Sequence, residues 1–351
     1  MKLCIITVYN SVNCGSFLQA YSLGEVLSGL GHNVVYYKIK RNVSPPSRLQ
    51  ILKSFIKNCY RNNLGTAFLR LKSSLLFWYA EKNFKIISEE EENTNPCDVY
   101  IFGSDTLWNL DSEHFLKDYD LFWGLRFKDK KKCTYAISLS NVTYEALCNY
   151  TFTKQALNEF KGISVRDKHT SDVISKITNR DVLQVCDPTL LVDKSTFKRF
   201  EKEKLPFEYC LLYVFHDYDF EETFIDEIKL FCHKRHLKLV SLGEYRKWCD
   251  CVLPYSPENF ITLFKNASVI FTNTFHGTIF SLIYNVNFVA LGDAKIKVNN
   301  LLQEYGLENK KYVKGEKLET YFLSKIDFTR VNRIILEKRN ISLNYLLECL
   351  N

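Results

Sequence analysis

The stretch Ala267 to Tyr284, ASVIFTNTFHGTIFSLIY, places a histidine where an anion could be held. Ala267 to Phe271 is mostly apolar and ends at a polar turn, the pattern of a strand covered on both faces. From Thr278 the apolar residues Ile279, Phe280, Leu282 and Ile283 fall at helical spacing, so residues 272–277 form the turn between strand and helix. In an open α/β sheet that turn lies at the carboxyl end of a strand, where ligands collect. The spacing predicts a helix starting just after Gly277, with free backbone N–H groups and the positive end of its dipole turned to the turn. Gly277 permits close backbone approach, and His276 adds a titratable imidazole. A capping or packing role for His276 is the competing reading.

A second turn of the same kind opens the chain. Lys2 to Val8 reads as a buried strand, residues 9–16 as a polar turn carrying Asn13, Gly15 and Ser16, Phe17 to Leu30 as a helix, and Asn33 to Ile39 as the next strand. This β-α-β unit is not a dinucleotide fingerprint, because G-x-G-x-x-G is absent. Its loop is expected to face the same cleft as the His276 turn. Farther on, Asp98 to Gly103 leads into Ser104-Asp105-Thr106-Leu107-Trp108-Asn109, and Gly162 to Val165 into Arg166-Asp167. Lys132 to Leu139 reads as a strand and Tyr144 to Phe160 as a helix, while Val182 to Val185 leads into Cys186-Asp187-Pro188, read as a structural turn near a domain junction.

These elements imply an α/β chain with two Rossmann-like, doubly wound domains facing a central cleft. The expected division is residues 1–200, 201–330, and a helix over 331–351 that packs back on the first domain. The second domain opens with the strand Tyr209 to Phe215 and the helix Glu221 to His233. Residues 42–92 interrupt the first domain. Pro45-Pro46 opens the interruption, Leu49 to Lys57 and Ala67 to Phe84 read as amphipathic helices, and Glu89 to Pro96 as a polar break. Between Lys38 and Lys85 there are eleven Lys or Arg against one acid, Glu81. Such a basic, aromatic helical segment is either a solvated face or a surface that lies against an anionic membrane or a lipid-linked acceptor.

With 351 residues the chain accommodates two domains, and 46% hydrophobic with 25% charged residues is the make-up of an ordinary globular protein. No apolar run is long enough to span a bilayer, and the first ten residues lack a signal-peptide core, which points to the cytoplasm. Twelve cysteines are scattered and no CxxC occurs, so neither a metal site nor a disulfide framework is indicated, and a reducing compartment fits. A net charge of +7 is too modest to imply nucleic acid.

Five short stretches, taken in order, resemble the polysaccharide pyruvyl transferase family. They are Asn13-Cys14-Gly15 with Leu18-Gln19-Ala20-Tyr21; Gly103-Ser104-Asp105 with Trp108-Asn109; Ser164-Val165-Arg166-Asp167; Asp187-Pro188-Thr189-Leu190-Leu191; and Phe275-His276-Gly277-Thr278. The chain departs from the family pattern in having no arginine in Thr272-Asn273-Thr274 and in carrying Thr106 where many members have glutamine. The resemblance implies a glycosyltransferase-B-like architecture without cofactor. It also implies transfer of pyruvate from phosphoenolpyruvate to two hydroxyls of a sugar in a surface polysaccharide or its lipid-linked precursor. Arg166 and His276 match the family's phosphoenolpyruvate-binding pair, with Phe275, Gly277 and Thr278 around the histidine.

Phosphoenolpyruvate carries a phosphate and a carboxylate, and a guanidinium binds either through two parallel hydrogen bonds. A charge-assisted bond is worth about 1.5–3 kcal/mol against about 0.3–1 for a helix terminus, so Arg166 is expected to dominate donor binding unless it is spent on Asp167 or another acid. His276 is either the acid that protonates the enol carbon or the group that steadies the departing phosphate. Asp105 is the base, a holder of acceptor hydroxyls, or an N-cap. Asn13, Gly15, Ser16 and Ser104 are acceptor-side candidates, with a turn role open for Asn13. Trp108 either stacks on the sugar or sits in the core. A nucleotide-sugar glycosyltransferase of the same shape and a catalytically silent binding protein are the rival readings.

Overall fold

The computed structural model describes residues 1–39, 56, 64–215, 218–292 and 296–351. Lys2–Ile6 (β1), Asn33–Tyr37 (β2), Ile86–Ile87 (β3), Val99–Phe102 (β4) and Lys132–Thr134 (β5) form a parallel sheet ordered β3-β2-β1-β4-β5. Ser164–Val165 (β6) and Leu183–Gln184 (β7) pair with each other, and single bridges from Cys133 to Gly162 and Ile137 to Val165 attach them beside β5. Tyr209–Tyr213 (β8), Lys238–Leu242 (β9), Cys251–Leu253 (β10), Val269–Thr272 (β11) and Phe288–Ala290 (β12) repeat the pattern as β10-β9-β8-β11-β12. β4, β8 and β11 are buried at every position, as parallel strands covered on both faces must be.

Each sheet therefore reverses its strand order once, between β1 and β4 and between β8 and β11. Those are the places where a doubly wound sheet opens a crevice at its carboxyl edge. The segments that follow β1, β4, β8 and β11 carry Asn13, Asp105, Phe215 and, in the first turn of the next helix, His276.

The final helix, Phe328–Leu350, packs on the first sheet's extension. Tyr345 donates to the Thr134 carbonyl at 2.8 Å, Ser342 Oγ accepts from the Cys186 amide at 3.0 Å, and Arg339 donates to the carbonyls of Leu190 and Val192. These contacts hold the end of β7 and the turn after it. No helix among the described residues is long and apolar enough to cross a membrane, and none of the described cysteines forms a disulfide.

Several local expectations change. The polar break at Glu89 is the helix Glu89–Thr94, fixed by a capping box between Ser88 and Glu91. The strand expected over Lys132 to Leu139 ends at Thr134, because Ala136 at φ 50° breaks the extended run; beyond it Ile137 bridges Asp105 on one side and Val165 on the other. The helix expected over Tyr144 to Phe160 is two, Tyr144–Cys148 and Phe152–Asn158. The helix expected from Ala67 runs Leu64–Ala80, and the one expected over Leu49 to Lys57 lies, apart from Ile56, outside the described residues.

Candidate functional site

Three chain segments that are distant in sequence meet on one buried carboxylate, that of Asp187. Arg166 leaves the end of β6, Asp187 follows β7, and His276 sits in the first turn of the helix Phe275–Ile283 after β11. Arg166 Nη1 donates to Asp187 Oδ2 at 3.2 Å, and His276 Nε2 stands 3.4 Å from the same oxygen. The Asp187 side chain is fully buried and that of Arg166 nearly so. Burial alone would raise the Asp187 carboxyl. The His276 ring, the Arg166 guanidinium and the Thr189 amide outweigh it and hold the group well below the usual carboxylate range. Oδ1 is spent on Thr189, from its amide at 3.0 Å and its hydroxyl at 2.7 Å, which caps the turn Pro188–Leu191.

The His276 contact lies within ion-pair range but off a hydrogen-bond line, so Nε2 makes no hydrogen bond. The other edge of the ring faces the first half. A methyl group at Gly15 would fall 2.1 Å from Nδ1, so only glycine lets the imidazole approach the helix Cys14–Gly29. Arg166 is covered by the Phe275 ring, 4.6 Å from guanidinium carbon to ring centroid, which leaves its remaining N–H groups for an anion. Asp167, the neighbour expected to compete for Arg166, instead caps the helix Lys168–Thr178 through Thr170.

From the first half come Asp105 and Ser16. Ser16 Oγ donates to Asp105 Oδ2 at 2.6 Å, and Asp105 Oδ1 accepts from the Thr106 amide at 2.8 Å. Asp105 is held at φ 88°, a backbone region that costs a non-glycine residue roughly 1–3 kcal/mol and recurs at functional sites. Gly103 before it has φ 113°, and a methyl group there would meet the Tyr135 carbonyl at 2.2 Å. This bend turns Ser104 inward.

Asn13, Ser16, Asp105, Arg166, Phe275 and His276 line a cavity of 210 Å³. A neighbouring cavity of 520 Å³ continues past Arg166, Phe275 and Asp187 toward the helix Ile296–Tyr305. Lys297 on that helix lines both. Burial and the Arg166 charge push its ammonium down to about 8, against the pull of Asp105 and Asp167. Lys297 has no ion-pair partner among the described residues, so this cation is available to a ligand. A separate cavity of 930 Å³ near Phe224 and Tyr312 contains none of these residues. Among the described residues no group of three His, Cys, Asp or Glu converges as a metal set.

Some expected site residues lie elsewhere. Trp108 is fully buried, stacked on Trp123 with centroids 4.8 Å apart and its indole N–H donated to the Phe122 carbonyl, so it cannot meet a sugar. Ser104 is also fully buried, with Oγ donated to Gln19 Oε1 at 2.7 Å. Gln19 in turn donates to Thr7 Oγ1 and the Ser16 carbonyl, a closed network under the site. Asn13 lines the cavity, yet its Oδ1 caps the helix Cys14–Gly29 by accepting from the amides of Gly15 and Ser16. The helix after β11 starts at Phe275 rather than beyond Gly277, because Thr274 is its N-cap and takes the Gly277 amide at 2.9 Å. The first-turn amides left for an anion are thus those of Phe275 and His276, and Thr278 is buried with its hydroxyl on the Thr274 carbonyl. Sequence reasoning missed Asp187, taken for a turn residue, and Lys297, which has no motif around it.

The fold is similar to that of UDP-N-acetylglucosamine 2-epimerases. The enzyme from Methanocaldococcus jannaschii matches with TM-score 0.57 at 12% identity, over 96% of this chain and 99% of that one. The Neisseria meningitidis enzyme bound to UDP-GlcNAc matches with TM-score 0.51 at 10% identity, over 99% and 100%. At such identities the likeness concerns architecture alone, two Rossmann-like domains of the glycosyltransferase-B kind. No curated protein matches the sequence. The polysaccharide pyruvyl transferase profile matches residues 13–294, a span that takes in Asn13, Asp105, Arg166, Asp187 and His276. The chain belongs to the polysaccharide pyruvyl transferase family.

Proposed function

We propose that the protein transfers pyruvate from phosphoenolpyruvate to two hydroxyls of a sugar, on a surface polysaccharide or its lipid-linked oligosaccharide precursor, and releases phosphate. The observation that carries this reading is the gathering of Arg166, His276 and Lys297 around one small cavity between the halves, with Asp187 joining the first two. Phosphoenolpyruvate is a compact ligand with two anionic groups, and the cavity offers it separate positive groups. Arg166 takes one anionic group through its unused N–H groups and Lys297 the other, while the amides of Phe275 and His276 add a smaller, dipolar contribution.

In the reaction the methylene carbon of the enol takes a proton, leaving the adjacent carbon electron-poor. A sugar hydroxyl attacks that carbon and gives its proton to a base. The phosphate leaves with the electrons of its C–O bond, and a second hydroxyl attacks the same carbon, gives its proton to the departing phosphate, and closes the ketal. His276 is positioned to supply the first proton or to steady the leaving phosphate, worth roughly 10²–10⁴ in rate. Asp105, with Ser16 beside it on the opposite wall, is the group for receiving hydroxyl protons or holding the acceptor.

The test is incubation of the protein with phosphoenolpyruvate and galactose- or mannose-terminated acceptors. Inorganic phosphate release that depends on the acceptor, with pyruvate's mass added to the product less one water, is the expected result. Turnover only with a nucleotide sugar, releasing nucleoside diphosphate, would replace this reading by that of a glycosyltransferase.

A further inference from the structure

The helix Leu64–Ala80 presents two apolar faces. Leu69, Ser73, Phe77 and Ala80 turn inward. At about 100° per residue, Leu64, Phe68, Leu75, Trp78 and Tyr79 fall together on the opposite side. They are 70%, 61%, 44%, 49% and 63% exposed. An aligned stripe of five large apolar side chains in water differs from the single exposed apolar residues of an ordinary surface. Lys72 borders it, and Lys82 lies 4.5 Å over the Tyr79 ring.

We propose that this stripe docks the protein on an anionic lipid surface, lying in the interface without crossing it. The charge decides the occupant: from Leu64 to Lys85 the helix and the residues after it carry Arg70, Lys72, Lys82 and Lys85 against one acid, Glu81, which complements anionic head groups and makes two copies of this face repel each other. Trp78 and Tyr79, amphipathic rings at one end of the stripe, suit the head-group level. The inward face of the same helix reaches both halves of the molecule. Phe77 packs edge-on against Phe17 with centroids 6.1 Å apart, and Ser73 Oγ accepts from the Tyr255 amide at 2.9 Å. Docking here sets both halves, with the cleft between them, against the membrane. The proposal is independent of donor chemistry and stands whichever group the protein transfers.

The experiment is flotation of the full chain with vesicles of phosphatidylcholine alone or enriched in phosphatidylglycerol, for wild type and for Phe68→Ser/Trp78→Ser. Wild type is expected to float with the phosphatidylglycerol vesicles, to be released by high salt, and to bind them roughly tenfold or more tightly than the double variant. Tryptophan quenching by brominated lipid, present in wild type and lost in Trp78→Phe, reports the contact without relying on the double variant's fold. Absence of phosphatidylglycerol-dependent flotation overturns the proposal. So does a wild-type dimer in light scattering that the double variant dissociates, which would make a second copy the occupant, or quenching that persists in Trp78→Phe.

Discussion

The two crevices of this molecule share a topology and differ in chemistry. Both open where a five-stranded parallel sheet reverses its order, at β1/β4 and at β8/β11. The first crevice offers an amide, a hydroxyl and a carboxylate, from Asn13, Ser16 and Asp105. The second offers a helix N-terminus and an imidazole, with Lys297 beside it. On the proposed reading the first wall serves hydroxyls and the second anions, so that the fold repeats a position while the side chains divide the labour between acceptor and donor. Arg166 and Asp187 belong to neither crevice. They come from the extension of the first sheet, and through His276 they join the two sides.

Breaking that junction has the largest expected effect. Asp187→Asn keeps the shape but leaves the buried Arg166 without its countercharge, and unfolding in denaturant should show a loss of about 3–5 kcal/mol. Native-like stability in that variant would mean the two walls are not coupled through this carboxylate. Next, His276→Ala should fold normally and slow turnover by roughly 10²–10⁴. Asp105→Asn sharpens the division of labour: phosphate release should fall about tenfold or more while phosphoenolpyruvate affinity stays unchanged, whereas a matching loss of donor affinity would erase the distinction between the walls.

The smallest effect is the pH response of Lys297. Burial pushes its folded ammonium down to about 8, below the ordinary lysine value, so the charge proposed to bind the donor is present below pH 8 and is lost as pH rises through it. Donor affinity should therefore weaken above pH 8. Stability should move the other way, rising with pH across the same window because the unfolded chain binds the extra proton. Lys297→Met should flatten both trends. Unaltered pH profiles in the variant would assign the titration to another group.

Much of the frame was legible because buried parallel strands read as unbroken apolar runs, as at Val99 to Phe102 and Val269 to Phe271. Arg166 and His276 were legible as members of short motifs. Asp187 sat in such a stretch too, but its role as their common partner was not legible, since it lies 21 residues from Arg166 and 89 from His276 in sequence, and nothing local marks a carboxylate that caps its own turn while meeting a guanidinium and an imidazole. Lys297 was hidden for the same reason, its depressed ammonium arising from burial by distant elements. Ser104 misled, and Trp108 resolved to the core reading, because sequence near a bend does not fix which way a side chain turns. The positive φ of Gly103 and Asp105 breaks the alternation on which such a reading depends. Helix starts were misplaced for want of the cap, as at Thr274, whose role becomes visible only when its hydroxyl takes the Gly277 amide.

The proposed donor site at the junction of the two walls is tested most directly by calorimetric titration of phosphoenolpyruvate into wild type and Arg166→Lys. The account predicts measurable binding to the wild type, weakened roughly ten- to a hundredfold in the variant, because lysine keeps the charge but not the planar donor pair. Equal affinity in the two proteins, or no binding to the wild type, would contradict it.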